Sequence, residues 1–225
     1  MPAKPEFEEI SPGVYALFAK GWSSNAYLLI GENKTHHALI DTGLHENAAV
    51  LEHALSALAP SIAPADISLI LHTHGHADHI SADFAFPNAE IAMHPADAEY
   101  VNAKDTHFTA SSFFQDPYFP EITCMLSSEE KIKIGKSVLE VLHTPGHTAG
   151  SVCFLERKAK ILFSGDTVFL GAVGRHDLVS GAANELRSSL EKLSALDFEI
   201  LLSGHGNVLR GKQRENIENA IAMLG

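Results

Sequence analysis

Basic residues are scarce in this sequence of 225 residues. Sixteen Lys and Arg residues stand against 28 Asp and Glu residues, which gives a formal net charge of -12. Nucleic acids and anionic membrane surfaces are bound by basic patches, so this charge balance argues against both as partners. A small-molecule substrate, even a phosphorylated one, is not excluded, because it needs only a local positive site such as a metal ion.

Cysteines and long apolar runs are equally scarce. The two cysteines, Cys124 and Cys153, are too few for a disulfide framework, and Cys153 in the strand-like stretch "SVCFLE" is expected to be a small buried side chain. No apolar run approaches the roughly 18 residues of a membrane span, and the start "MPAKPEFEEI" lacks the apolar stretch of a signal peptide. We therefore expect a reduced, cytoplasmic protein without a membrane partner.

Strand-like and helix-like segments alternate along the chain and predict an α/β fold. Strands are expected, for example, at "NAYLLIGE" and "ISLILHTH", and helices at residues 46–59 and at "NELRSSLEKLSAL". No low-complexity linker interrupts the pattern, so we expect residues 1–225 to form a single domain.

Residues 104–128 break this pattern, because they are rich in Phe, Thr, Ser and Pro and show no clear period. A long loop of this kind inside a compact domain usually has a function. Three roles are open for it: packing against its own fold, a contact in a homodimer, or a lid over a substrate site. Its aromatic residues are Phe108, Phe113, Phe114, Tyr118 and Phe119.

The stretch "LHTHGHADHI", Leu71 to Ile80, holds four histidines and one aspartate within eight residues. Neutral imidazole is the commonest metal ligand in proteins. Residues two apart in an extended segment point the same way, so His74 and His76 can reach one ion. Asp78 and His79 follow where the chain is expected to turn, which would aim them at a second point nearby.

Three further strand ends carry metal-binding residue types beside glycine. His147 lies in "TPGHTAGS", Asp166 in "FSGDT" and His205 in "LLSGHG". With the first stretch they supply five histidines and two aspartates, which suit two ions such as zinc better than calcium or magnesium. The pattern "LHTxGH" occurs at residue 71 and again at residue 142, and its first histidines, His72 and His143, are expected to pack beneath the site.

The order His-x-His-x-Asp-His at residues 74–79, followed by His147, Asp166 and His205, resembles the metallo-β-lactamase superfamily of hydrolases. The resemblance extends from Asp41 in "LIDTG" to "SGHG". It implies a four-layer αββα sandwich, in which two mixed sheets face each other, helices cover the outside and metal ions lie at one edge. It also implies that His74, His76 and His147 bind the first ion, that Asp78, His79 and His205 bind the second, that Asp166 bridges them, and that Asp41 orients the ligands.

By the same resemblance the protein is a hydrolase that binds two zinc ions, with iron or manganese as the other candidates. A hydroxide that bridges the ions would attack the substrate, and Asp78 and Asp166 would orient it and take a proton. Asp166 counts against a β-lactamase, which normally lacks the bridging aspartate. Phe169 counts against an acyl homoserine lactonase, which has a tyrosine at that position.

The run "FSGDTVFLGAVGRHDLVSG", residues 163–181, is similar to the branch that contains glyoxalase II and the persulfide dioxygenases. Phe169, Arg175 and His176 of this run are expected at the substrate mouth. Arg175 would either meet a substrate carboxylate or hold its loop by pairing with Asp177.

Hydrolysis of a small thioester is the reaction that this similarity favours. Glutathione as the carrier stays open, because only residues 206–225 follow His205 where full-length glyoxalase II has a helical domain. Lactonase and phosphodiesterase activity of the same fold are variants of this prediction. The alternatives are a persulfide dioxygenase with a single iron at His74, His147 and Asp166, and, least favoured, a metal-binding module without catalysis.

Overall fold

The computed structural model describes residues 6–32, 36–116 and 118–225 of the chain. Residues 1–5, on which the expectation of a chain without a signal peptide partly rests, lie outside this range. The strands of the described residues are β1 (Glu8–Ser11), β2 (Val14–Leu17), β3 (Ala26–Leu29), β4 (His37–Ile40), β5 (Ile67–Leu71), β6 (Glu90–Met93), β7 (Cys124–Met125), β8 (Lys131–Ile134), β9 (Ser137–His143), β10 (Val152–Glu156), β11 (Ile161–Gly165), β12 (Val168–Phe169), β13 (Ala172–Val173), β14 (Ile200–Ser203) and β15 (Leu209–Arg210). Their helices are α1 (Asn47–Ala57), α2 (Ala77–Ile80), α3 (Pro95–Asn102), α4 (Ser111–Phe114), α5 (Ala183–Ser194) and α6 (Gln213–Met223).

Two large sheets form the centre of the fold. The first has the strand order β1-β2-β3-β4-β5-β6-β7 and is antiparallel from β1 to β4 and parallel from β4 to β7. The second has the order β15-β14-β11-β10-β9-β8, in which β11 and β14 are parallel and the other neighbours antiparallel. β12 and β13 form a separate short hairpin. Both large sheets are mixed, as the family resemblance implies.

A shared apolar core holds the two sheets face to face. Tyr27 and Ile40 of the first sheet lie in one buried cluster with Phe154 and Phe163 of the second. The rings of Tyr27 and Phe163 meet edge to face with their centroids 5.3 Å apart. Burial of large apolar side chains is the dominant stabilising term in folding, so this interface fixes how the strand ends of both sheets line up.

The outer face of the first sheet is covered by α1. In β3, Tyr27 and Leu29 belong to the core between the sheets, whereas Ala26 and Leu28 pack in the cluster around Leu51 of α1. Successive strand residues point to opposite faces, and here both faces are buried. This explains why β3 is an unbroken apolar run rather than an alternating one.

The outer face of the second sheet is covered by α5 and α6. Leu186 and Leu190 of α5 and Ile217 of α6 pack in one cluster with Leu155 and Leu162. The layers therefore follow the order helix, sheet, sheet, helix, which confirms the predicted αββα sandwich. Among the described residues, none of the helices combines the length and the apolar character that crossing a bilayer requires.

The segment 104–128 contains two elements that the sequence pattern did not predict. α4 forms at Ser111–Phe114, and Cys124–Met125 pair with β6 as the last strand of the first sheet. Elements of four and two residues are too short to show a period. Phe108 is only 1% exposed, whereas Phe113 is 68% exposed. The segment thus contributes both to the core and to the aromatic surface.

Candidate metal centre

Three of the predicted donors meet at one edge of the sandwich. β5 ends at Leu71, and the residues that follow bring His74 and His76 side by side, while His147 comes from the loop between β9 and β10. Nε2 of His147 lies 3.1 Å from Nε2 of His74 and 3.0 Å from Nδ1 of His76. The latter two nitrogens are 3.1 Å apart. The three nitrogens form a nearly equilateral arrangement, which we call the histidine triangle.

The histidine triangle has the size and the charge state of a metal site. Three nitrogens bound tetrahedrally to zinc at about 2.0 to 2.1 Å lie roughly 3.3 Å from one another. Burial, reinforced by the neighbouring histidines, lowers the pKa of His74 well below its usual value, and burial is also the main cause that lowers the pKa of His76 to about 3. Both rings are therefore neutral, which is the form of imidazole that binds metal.

The other four predicted donors lie beside the triangle. Asp78 and His79 are on α2, Asp166 follows β11, and His205 follows β14. Nε2 of His205 lies 3.3 Å from Oδ2 of Asp78. The Asp166 carboxylate lies between the two sets, because its Oδ1 is 3.3 Å from Nε2 of His79 while its Oδ2 is 3.7 Å from Nε2 of His147 and 3.6 Å from Nε2 of His205.

All seven donors are therefore brought together by the fold. Their potential ligand atoms form three groups, each with its atoms within 4.8 Å of one another: His74 with His76 and His147, His74 with His79 and Asp166, and Asp78 with His79 and His205. Asp78 and His79 follow the predicted change of chain direction, but they lie on the short helix α2 rather than in a turn.

Three buried atoms of the cluster form no hydrogen bond within the described part of the chain: Nε2 of His76, and the neighbouring pair of Nε2 of His79 and Oδ1 of Asp166. Buried polar atoms nearly always have a partner, so this pair fits the coordination of a cation. The local charge also favours a cation. Burial lowers the pKa of His79, but the Asp41 and Asp166 carboxylates outweigh burial and leave this pKa well above its usual value.

Asp41 supports the ligand loop from beneath. It follows β4 with a φ of 54°, and its carboxylate accepts hydrogen bonds from the backbone N of Thr73 at 2.9 Å and from Oγ1 of Thr73 at 2.7 Å. Nδ1 of His79 donates to Oδ2 of Asp41 at 2.8 Å, which leaves Nε2 of His79 directed at Asp166. An outer carboxylate in this position fixes the tautomer and the orientation of a metal-binding histidine.

Asp83 completes this network, and nothing in its sequence context "ISADFAF" marks it. Nε2 of His72 lies 2.7 Å from Oδ2 of Asp83, and Nδ1 of His72 lies 3.4 Å from Oδ1 of Asp41. Burial lowers the pKa of His72, but the two carboxylates outweigh it and raise this pKa to about 9. His72 thus packs beneath the site as a buried cation. Its counterpart His143 instead stacks on His94, with the ring centroids 4.2 Å apart.

Asn25 and Tyr27, which sequence reasoning also missed, fix the loop that carries His205. Nδ2 of Asn25 donates to the carbonyls of Ser203 and Gly206, each at 3.0 Å. The Tyr27 hydroxyl donates to the same Ser203 carbonyl. Because Tyr27 is part of the first sheet and Ser203 of the second, these hydrogen bonds join the two sheets at the site.

Two glycines leave the space that Asp166 occupies. A Cβ atom at Gly204 would lie 2.1 Å from Oδ1 of Asp166 and 2.7 Å from Cε1 of His79. A Cβ atom at Gly174 would lie 1.9 Å from the carbonyl oxygen of Asp166. A side chain at Gly204 would therefore displace the Asp166 carboxylate, and a side chain at Gly174 would displace the Asp166 backbone.

Arg175 contributes to the site through its backbone. The exposed guanidinium pairs with Asp177 through an Nε–Oδ1 contact of 3.0 Å and an Nη2–Oδ2 contact of 2.8 Å. The backbone carbonyl of Arg175 accepts a hydrogen bond from Nδ1 of His147 at 2.6 Å. Because the proton is on Nδ1, Nε2 of His147 keeps a free lone pair that points to the centre of the histidine triangle. Of the two roles open for the Arg175 side chain, the structure shows the pairing with Asp177.

Phe169 and His176 are the other predicted substrate residues. The Phe169 ring lies 6.0 Å from the His205 ring, measured between centroids. Nδ1 of His176 is buried and forms no hydrogen bond to any described residue. Contact of either side chain with a substrate stays a prediction.

Sequence comparison shows what this arrangement is similar to. A profile of the metallo-β-lactamase superfamily matches residues 19–205. A probable metallo-hydrolase of Methanocaldococcus jannaschii is 34% identical over 197 residues, which cover 84% of this chain and 90% of that protein. The hydroxyacylglutathione hydrolase GloC of Haemophilus influenzae is 33% identical over 177 residues, which cover 72% of this chain and 81% of that protein.

Solved structures show the same architecture. A metallo-β-lactamase family protein of Thermus thermophilus superposes with a TM-score of 0.81 at 22% identity, covering 96% of this chain and 80% of its own, and shows the fold alone. The B3 metallo-β-lactamase BLEG-1 superposes with a TM-score of 0.75 at 28% identity, covering 88% of this chain and 93% of its own. The matched profile includes every donor of the metal centre, from His74 to His205. By its sequence, its fold and its cluster of donors, the chain belongs to the metallo-β-lactamase superfamily.

Proposed function

We propose that the protein hydrolyses a small thioester with two zinc ions bound at the metal centre. The observation that carries the proposal is the Asp166 carboxylate, which lies between the histidine triangle and the donors on its other side. Such a placement suits two neighbouring ions that share one carboxylate. The likeness to the hydroxyacylglutathione hydrolase of Haemophilus influenzae supports a thioester, as does the Gly-Arg-x-Asp run at residues 174–177.

Each donor set would hold one ion. The histidine triangle would hold the first, and Asp78, His79 and His205 would hold the second, with Asp166 between them. Nitrogen-rich donor sets of this kind favour zinc, and iron or manganese would use the same side chains. When bound, the ions polarise a carbonyl and lower the pKa of water, to about 7 in the best-studied zinc enzyme.

The chain itself supplies the proton transfer. The side chains of Asp78 and Asp166 are 12% and 11% exposed, so both carboxylates reach solvent on the side of the half-buried His205. One of them accepts the proton of the attacking water as the oxygen–carbon bond forms. The carbon–sulfur bond then breaks, the sulfur takes up the proton, and the products are a carboxylic acid and a thiol.

A substrate panel tests the proposal. Protein purified without added metal is analysed for metal content and assayed with a thioester, a lactone, a phosphodiester, a β-lactam and a persulfide. We expect close to two metal ions per chain and the highest kcat/KM for the thioester. The β-lactam is included because of the 28% identity to BLEG-1. A fully active protein that holds one iron and consumes oxygen with the persulfide would contradict the proposal.

An exposed aromatic surface near α2 offers a place for the apolar part of the substrate. Trp22 and Phe113 are each 68% exposed, and their ring centroids are 5.9 Å apart. The Phe114 ring lies 6.5 Å from Trp22 and 5.1 Å from Phe113. We call these three residues the aromatic rim. α4, which carries Phe113 and Phe114, packs against α2, which carries Asp78.

We expect the double substitution Phe113→Ser and Phe114→Ser to lower kcat/KM for bulky thioesters about tenfold or more, a loss of roughly 1 to 3 kcal/mol in transition-state stabilisation. The reason is that remote apolar contacts help to position the reacting carbonyl. Steady-state kinetics with acyl groups of increasing size would show the effect, and small acyl groups should be affected less. Metal content and Tm should stay the same.

The control for the aromatic rim is Val138→Ser, because Val138 is also exposed, at 42%, but lies at the end of β9 away from His147. A rim variant that loses stability and all activities equally would identify the segment as core packing. A rim variant that changes from dimer to monomer with unchanged kinetics would identify a subunit contact.

A further inference from the structure

Asp97 is a buried carboxylate that the metal centre described above does not include. It lies on α3, and its side chain is 0% exposed. Oδ2 accepts hydrogen bonds from the backbone N of Gly75 at 2.9 Å and from Oγ1 of Thr148 at 2.7 Å. Oδ1 accepts one from the backbone N of Gly150 at 2.7 Å. Each carboxylate oxygen is therefore occupied by a donor from a loop outside α3.

The partners of Asp97 belong to the two loops that form the histidine triangle. Gly75 lies between His74 and His76, and Thr148 directly follows His147. One carboxylate thus connects the backbone of the first loop to that of the second. The hydrogen bonds are short and charge-assisted, which makes them about twice as strong as neutral ones.

The space around Asp97 leaves these loops little freedom. A Cβ atom at Gly150 would lie 2.5 Å from Oδ1 of Asp97. A Cβ atom at Gly75 would lie 2.9 Å from side-chain atoms of both Phe108 and Val101. Each loop therefore meets α3 and its surroundings through a residue without a side chain, and the distance between the loops is set by the carboxylate.

We propose that Asp97 is a positioning residue, which sets the spacing between His147 and the pair His74 and His76 and thereby the affinity of the histidine triangle for its ion. This inference rests on the metal-binding role proposed above. Outer residues that fix metal ligands typically contribute about 10- to 100-fold to metal affinity.

The substitution Asp97→Asn keeps the shape of the side chain but places an NH₂ group where an oxygen was. An NH₂ group in the place of Oδ1 faces the N–H of Gly150, and one in the place of Oδ2 faces the N–H of Gly75. Both orientations bring two donors together, so no rotation of the amide restores the hydrogen bonds. Thr148→Val is the milder variant, because it removes one of the three donors and leaves the carboxylate.

The test measures zinc affinity of the metal-free, folded protein by competition with a chromophoric chelator. We expect Asp97→Asn to weaken one of two zinc-binding steps about 10- to 100-fold and to leave the other nearly unchanged. Thr148→Val should weaken the same step by a smaller factor. In a His205→Ala background the second donor set has lost a ligand and the histidine triangle is intact. Asp97→Asn should still weaken zinc binding in that background. Asp197→Asn is the control, because Asp197 is an exposed carboxylate paired with Lys160 and should change nothing.

Unchanged zinc affinity in both folded variants, with only a lower Tm, would overturn the inference and make Asp97 a structural residue. If Asp97→Asn does not fold, Thr148→Val decides alone, and wild-type affinity in that variant overturns it. A wild-type protein that binds zinc at neither step refutes the proposed function and this inference together. A wild-type protein that binds two zinc ions and hydrolyses thioesters, with both variants unaffected, refutes only the role of Asp97.

Discussion

Replacement of Asp166 by alanine is expected to lower kcat/KM for thioesters by more than about 100-fold. Residues that merely orient metal ligands contribute about 10- to 100-fold, and a carboxylate that itself lies between both donor sets should exceed that range. Its Oδ1 lies 3.3 Å from Nε2 of His79 and its Oδ2 lies 3.7 Å from Nε2 of His147, so the substitution removes a donor from both sides of the centre. Steady-state kinetics combined with metal analysis would show the loss of activity and a fall in bound metal.

Asp177→Ala is the matched control for Asp166→Ala. Asp177 is also an aspartate of the segment after β11, but its exposed carboxylate pairs with Arg175 rather than facing the donors. We expect the metal content of the Asp177→Ala variant to equal that of the unmodified protein. A fully active Asp166→Ala protein with two bound ions would exclude a bridging role for this residue.

Replacement of Asp41 by alanine is expected to have the largest effect on stability, a loss of about 3 to 5 kcal/mol in the metal-free protein. Asp41 is 1% exposed, and its removal would leave His72 and His79 buried with a charge that has lost a partner. The free energy of unfolding in urea would measure the loss.

Asp41→Asn separates charge from shape in the same position. Asparagine tolerates the positive φ of 54° found here, so it introduces no new backbone strain. It should lose less stability than alanine, because it still accepts a hydrogen bond from Thr73. A loss below about 1 kcal/mol for the alanine variant would mean that Asp83 alone can support His72 and that the network does not depend on Asp41.

Most of the metal centre could be predicted from the sequence, because its donors follow apolar strands in short glycine-containing loops. His74 and His76 are two residues apart in an extended segment, and this local spacing alone predicts that they face one point. His147, Asp166 and His205 are similarly marked by the strand before them. The prediction that these strand ends lie together rested on the family resemblance, because no local pattern shows which strand ends are neighbours.

The supporting residues could not be predicted in this way. Asp97 accepts a hydrogen bond from Gly150, 53 residues further along the chain, and Asn25 binds a carbonyl 178 residues away. Neither residue lies in a stretch with a distinctive composition, so only the packed structure reveals its partner. The choice between two roles for Arg175 also required coordinates, because both roles place the same residue in the same loop.

The distribution of the donors over two sheets links metal capture to the order of folding events. His74, His76, Asp78 and His79 follow β5 of the first sheet, whereas His147, Asp166 and His205 follow strands of the second. A folding intermediate with only one sheet formed contains no complete histidine triangle, so we expect tight binding of a metal ion only after the sheets have docked. Pairings between such distant segments form slowly. The rate of metal uptake during refolding is therefore expected to report when the two halves of the molecule meet.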